Sequence, residues 1–204
     1  MTSRFSGLYR RLCPVDVFPH RWAFTLLFPL RSLFLSPKRL MERMEIQDDS
    51  TVLEVGSGPG FYSVPIAKKL TQGKLVLADI QPEMLEYAKK RLTKRGLTNV
   101  DFHPCDGNSF ELPDDHFDAV FLVTVIGEVS HKREYMVEFF RMLKPGGILS
   151  ISEQINDPHI MSIREVRELA TEAGFIEDKI FGKPWNYTAN FRKIATENSN
   201  PIAE

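Results

Sequence analysis

Glu54-Val55-Gly56-Ser57-Gly58-Pro59-Gly60 follows without a break on the apolar, β-branched run Thr51–Val55. A run of that kind reads as a buried strand. Residues 59–70, PGFYSVPIAKKL, read as a helix opening on Pro59, with Pro65 predicting a kink or a tight first turn. Strand, glycine turn and helix in succession make a ligand-binding junction. Small residues let a ligand approach the backbone, and a helix start offers unpaired N–H groups. In a doubly wound sheet such a junction lies at the carboxyl edge, where ligands bind. The dinucleotide fingerprint is G-x-G-x-x-G, but here Gly60 closes a G-x-G-x-G series and Phe61 stands where the last glycine of that fingerprint belongs. Glu54 also sits two residues ahead of the turn. A carboxylate there repels a pyrophosphate and suits a ligand carrying an ammonium or sulfonium group, which disfavours a nicotinamide-dependent oxidoreductase.

Outward from the turn, strand-like and helix-like segments alternate, the pattern of an α/β fold with a mostly parallel sheet. Strands are expected at Lys74–Asp79, Val100–Pro104, 117–124 and 148–152, and at two terminal segments, 175–181 and 187–194. With the first strand these make a seven-stranded, Rossmann-like, doubly wound sheet. Helices are expected at 82–95, closed by Gly96, at 132–143 and at 162–173, ending at Gly174. The aromatics of the helix at 132–143, Tyr135 among them, fall at core spacing. Lys144-Pro145-Gly146-Gly147 reads as a sharp stop and turn between helix and strand.

Two further acids lie where strands end. Asp79, nineteen residues after Gly60, closes the second strand. It reads either as the acceptor of two ribose hydroxyls or as a capping or solvated aspartate. Asp106, just past the third strand, could accept from an exocyclic amine, with Gly107 allowing close approach.

Val52–Tyr62, Asp79, Asp106-Gly107, the FDAVFLV strand and Leu143–Gly147 stand in the order and spacing of class I S-adenosylmethionine-dependent methyltransferases. Over roughly residues 45–195 the chain resembles that family, and more narrowly it is similar to the broad group that includes the ubiquinone/menaquinone-biosynthesis C-methyltransferases. The resemblance implies S-adenosyl-L-methionine as cofactor. It places Gly56, Ser57, Gly58 and Gly60 along the methionine and ribose portion, and Glu54 on the methionine amino group, directly or through water. It gives Asp79 the ribose hydroxyls, Ile80 one face of adenine, and Asp106 and Gly107 the adenine edge. Thr124 would approach the methionine end through its backbone. The chain departs from many relatives after the fourth strand, where Ile126-Gly127-Glu128-Val129 replaces a His-Glu or His-hydrophobic pair. Glu128 and His131 are the candidate catalytic groups on the acceptor side, with Tyr62 and Tyr187 as positioning groups. His131 reads equally as a surface or capping residue. A binding or regulatory protein that keeps the cofactor pocket without catalysis remains the alternative to an enzyme.

The chain divides into an N-terminal helical arm, residues 1–45, a methyltransferase domain, 46–195, and a disordered tail, 196–204. The formal net charge of −1 over 204 residues gives no sign of nucleic-acid binding. The charge is nonetheless uneven. Residues 1–40 hold seven basic residues against Asp16, a formal +6, leaving −7 for the rest. Residues 22–35, WAFTLLFPLRSLFL, are strongly apolar but too short to span a bilayer, and Pro29 and Arg31 interrupt them. The arm reads as a helix packed on the sheet with its basic face in water, as a lid over a small, hydrophobic or lipid-like acceptor, or as a peripheral membrane contact. Two distant cysteines, Cys13 and Cys105, without a C-x-x-C, suit a reducing, cytoplasmic setting. The five histidines show no ligand spacing, so no metal site is expected.

Overall fold

A computed structural model describes Leu27 and residues 35–106, 109–155 and 157–194. Its elements are α1 (Pro37–Met44), β1 (Thr51–Val55), α2 (Ser63–Lys69), β2 (Lys74–Asp79), α3 (Pro82–Thr93), β3 (Val100–Pro104), β4 (Phe117–Val123), α4 (Lys132–Met142), β5 (Leu143–Gln154), α5 (Ile163–Glu172), β6 (Ile176–Lys183) and β7 (Asn186–Arg192). The seven strands form one sheet in the order β3-β2-β1-β4-β5-β7-β6. β1 to β5 are parallel, and β7 is antiparallel to both β5 and β6. The order reverses between β1 and β4, which makes that crevice the topological switch point.

Both faces of the sheet are covered, which is why its central strands are apolar on both sides. Leu53, Val55, Val120 and Leu122 face α4 and α5, against Met136, Phe139, Val166 and Ala170. Val52, Leu75, Leu77 and Phe121 face the other way, against Val64 and Ile66 of α2 and Leu85 and Ala88 of α3. Leu40 and Met44 of α1 belong to this second core. α1 is also tied to the sheet by hydrogen bonds. The Arg43 guanidinium donates to Thr188 Oγ1 at 2.6 Å, and the Asn190 amide donates to the Arg43 carbonyl at 2.6 Å. Glu45 pairs with Lys179 and Arg192. Of the expected arm, residues 35–45 therefore lie on the sheet, while Leu27 aside, 1–34 fall outside the described residues, as does the tail at 196–204.

Two local expectations are corrected. The helix expected from residue 59 begins at Ser63. Gly58 and Gly60 hold φ of +52° and +80°, outside helical space, so the chain turns until Tyr62. Pro65 then falls in the first turn, where an N–H has no intrahelical partner to lose, and no kink is required. The turn expected at residues 144–147 is instead part of β5. Leu143 already pairs with Phe117, and the register shift before Ala119 absorbs the extra residues.

Candidate cofactor and acceptor site

The glycine turn leaves β1 and leans on β2: the Gly56 N–H donates to the Ala78 carbonyl at 2.8 Å. Gly56 has φ of +66°, and a Cβ built there would lie 2.5 Å from Cγ2 of Val125, in the loop after β4. Only glycine lets the loops after β1 and β4 close on each other at the switch point. Asp79 ties in the third loop. Its Oδ2 accepts the Gly58 N–H at 2.8 Å and its Oδ1 the Gln81 N–H at 3.0 Å. The carboxylate is 6% exposed. Burial pushes its pKa above the ordinary value, and the backbone donors from Gln81, Gly58 and Ile80 only partly offset that. The Cys105 N–H donates to the Asp79 carbonyl at 3.2 Å, bringing the end of β3 to the same edge.

The other residues singled out in the sequence take distinct places around this junction. Glu54 is buried behind the turn, and its Oε2 accepts the Ser63 hydroxyl at 2.6 Å. That bond clamps the end of β1 to the first residue of α2, so Glu54 fixes the two ends of the turn. Ser57 is buried in the turn, and its hydroxyl has no partner among the described residues. Ile80 is 42% exposed beside Asp79. Asp106 is exposed and accepts the Ser109 N–H at 3.2 Å; Gly107 lies outside the described residues. Thr124 has φ of +55°, donates its N–H to the Ser152 carbonyl at 2.8 Å, and turns its hydroxyl back to the Val123 carbonyl. Glu128 is half-buried in the turn after β4. His131 is exposed at the N-cap of α4, where its side chain makes no capping bond. Tyr62 donates to the Leu35 carbonyl and Tyr187 to the Met161 carbonyl. Cys105 is half-buried against the core.

Two residues belong to this edge that sequence reasoning missed. Tyr135 packs edge-to-face on Phe110 at 5.0 Å. Burial pushes its phenol up to about 12, with the charges of Cys105, Asp106 and Asp79 adding to the effect. Glu153, on β5, is fully buried. Its Oε2 accepts the Met161 N–H at 3.2 Å, and its Oε1 has no partner among the described residues. Burial pushes its pKa up to about 8, helped by the nearby charges of Asp157 and Glu128. Neither residue had a sequence signal: Tyr135 lies in an amphipathic helix pattern and Glu153 near the end of an apolar strand.

Among the described residues no cluster of His, Cys, Asp and Glu could hold a metal ion. The junction fits a cofactor that bonds to backbone and hydroxyl. It offers the exposed Gly56, a turn with no Cβ at three positions, an unpartnered buried hydroxyl and a buried carboxylate joining two loops.

A sheet of this order, with a glycine turn and a strand-end acid beside its switch point, is the fold of class I S-adenosylmethionine-dependent methyltransferases. A family model described as a methyltransferase domain matches residues 46–194, and the chain belongs to that family. The chain is 34% identical over 115 residues to the ubiquinone/menaquinone biosynthesis C-methyltransferase UbiE of Pseudomonas putida (strain GB-1), covering 55% of this chain and 45% of that protein. With the UbiE of Ectopseudomonas oleovorans it shares 33% identity over 109 residues, 52% of this chain and 64% of that one. The chain thus spans about half the length of the curated relatives it matches. In structure it is similar to a SAM-dependent methyltransferase from Aquifex aeolicus, with TM-score 0.81, 25% identity, and coverage of 87% of this chain and 100% of that one. S-adenosylmethionine is the cofactor of this class.

Proposed function

We propose that the chain transfers a methyl group from S-adenosylmethionine to a small, apolar acceptor held over the ends of β4 and β5. The observation that carries this reading is the bond from Gly58 to Asp79, which joins the glycine turn to a buried carboxylate at the switch point. Asp79 would take the ribose hydroxyls, Gly56 and Ser57 the methionine portion, Ile80 and Asp106 the adenine. When bound, the cofactor supplies a methyl group already activated on a sulfonium sulfur. The chain's own work is to hold donor and acceptor in line and exclude water, which can supply most of the acceleration. An acceptor that gains the methyl group would also give up a proton. Glu128, half-buried in the turn after β4, would take that proton. The relatives' name as C-methyltransferases favours an acidic carbon as the acceptor atom.

Calorimetric titration with S-adenosylmethionine and with nicotinamide cofactors tests the cofactor assignment. Labelled methyl transfer, screened across lipids, quinone precursors, small amines and proteins, tests the activity. Cofactor binding with no transfer to any acceptor would make the chain a binding protein on this fold. Glu128→Gln is expected to lower turnover at least tenfold while leaving cofactor affinity unchanged; unchanged turnover removes Glu128 from the mechanism.

A further inference from the structure

β5 and β7 carry a row of polar side chains on one face of the sheet. Ser150, Ser152 and Gln154 alternate along β5, opposite Asn190, Thr188 and Asn186 of β7. Phe121 and Val123, which pair with Ser150 and Ser152, place this row on the side of α1, α2 and α3. A covered sheet face is ordinarily apolar, and a polar one has to pair its own groups. The middle of the row does so. Ser152 and Thr188 share a hydrogen bond at 2.7 Å, and the Arg43 guanidinium donates to Thr188 Oγ1. The ends do not. Ser150 Oγ and Asn190 Oδ1 at the inner end, and both Nε2 and Oε1 of Gln154 at the outer end, have no partner among the described residues.

Gln154 is 1% exposed. Its amide brings two donors and an acceptor, and burying such groups unmade is the most costly state they can take. The backbone does not account for it. The Gln154 carbonyl accepts the Asp157 N–H at 2.9 Å, which fixes the strand end and leaves the amide uncommitted. Its position supplies the reason. Thr124 donates its N–H to the Ser152 carbonyl, and Val125, next in that loop, packs against Gly56 of the glycine turn. Gln154 lies two residues past Ser152 on the same face, at the carboxyl edge. The amide therefore stands beside the part of the site given above to the methionine portion of the cofactor, where an acceptor has to sit for transfer.

We infer that Gln154 reads the methyl acceptor, its amide pairing with a hydrogen-bond donor and acceptor set side by side on an otherwise apolar molecule. An N–H or hydroxyl next to a carbonyl has that pattern. Nε2 donates to the carbonyl and Oε1 accepts from the N–H or hydroxyl, which satisfies both buried atoms at once. Ser152 and Asn186 beside it are uncharged, which suits a neutral ligand. That this ligand is the methyl acceptor rests on the function proposed above.

Carbostyril, a small bicyclic lactam with an N–H beside its carbonyl, is titrated calorimetrically into the full chain, with and without S-adenosylhomocysteine. N-methylcarbostyril, whose donor is blocked, is the matched probe. Wild type is expected to bind the first about tenfold more tightly, and Gln154→Met, close in shape, to bind the two alike. Equal affinity of wild type for both lactams, binding of neither, or a preference that survives in Gln154→Met overturns the proposal. The comparison on wild type needs no variant. In thermal unfolding, Gln154→Met should melt within about 1 °C of wild type, whereas Thr188→Val, which breaks the partnered middle of the row, should melt about 4 °C lower. Equal losses would make the amide a structural strut and overturn the proposal as well. Methyl transfer with no preference between the lactams removes the role of Gln154 and leaves the activity standing. Preference without transfer to any acceptor supports Gln154 as the ligand-reading residue and overturns the activity.

Discussion

At the β1–β2–β3 half of the carboxyl edge, backbone N–H groups and one carboxylate hold successive loops together; at the β4–β5–β7 half, buried side chains meet across segments far apart in the chain. Gly56, Gly58, Asp79 and Cys105 build the first half by main-chain hydrogen bonds. Glu153 and Tyr187 build the second by burial and charge. A backbone-built site requires particular residues at fixed spacing, because only glycine permits the turn and only a strand-end acid reaches it. A site built by burial tolerates many residue types, and its chemistry follows from what covers each group.

The largest expected effect falls on the first half. Gly56→Val places a β-branched residue at φ of +66° and drives it into Val125. Strain and overlap together should cost about 4 kcal/mol. Thermal unfolding and cofactor titration are both expected to register it, and retention of wild-type affinity would show that the two loops need not close.

Glu153 sharpens the second half through pH. Its pKa is raised to about 8, so the fold favours the protonated form. The associated stability is complete below the ordinary carboxylate range and is lost as pH rises through about 8. Between about pH 5.5 and pH 9 the wild type should lose roughly 3 kcal/mol through this group. Glu153→Gln keeps an acceptor for the Met161 N–H and should remove that dependence, leaving the variant the more stable at alkaline pH. Urea titrations at both pH values check it, and parallel slopes for the two proteins would refute the buried-acid reading.

Asp79→Asn returns to the first half with a smaller effect. Losing charge-assisted bonds to a bound cofactor should weaken affinity about 30-fold, roughly 2 kcal/mol. Stability should fall by about 1 kcal/mol, because Asn offers one acceptor to the Gly58 and Gln81 N–H groups, while burial already disfavours the charge in the free protein. The smallest effect is expected at His131, exposed and without a capping bond. Its replacement by Ala should change stability by less than about 0.5 kcal/mol and turnover less than about twofold. A large loss of turnover would restore it as an acceptor-side group.

The same contrast explains what was legible. β1, β2 and β3 lie at the residues expected from their apolar runs. The helix after the glycine turn started four residues late, because the φ angles of Gly58 and Gly60 are a property of the turn and not of the residue types that follow it. Residues 144–147 read as punctuation, yet pairing with β4 drew them into the sheet. Glu54 carried no sequence signal for the bond its Oε2 accepts from Ser63, which ties the end of β1 to the start of α2.

The sequence by itself determined the α/β order, the junction at Gly56–Gly60 and the acids at strand ends, because each depends on residue type at short, fixed spacing. Only the tertiary structure decided that Tyr135 packs on Phe110, that Glu153 is a buried acid near Glu128, and that Ile155 and Trp185 stand at the same edge of the sheet. Proximity between distant segments and removal from water create those properties, and neither is written in any one stretch of chain.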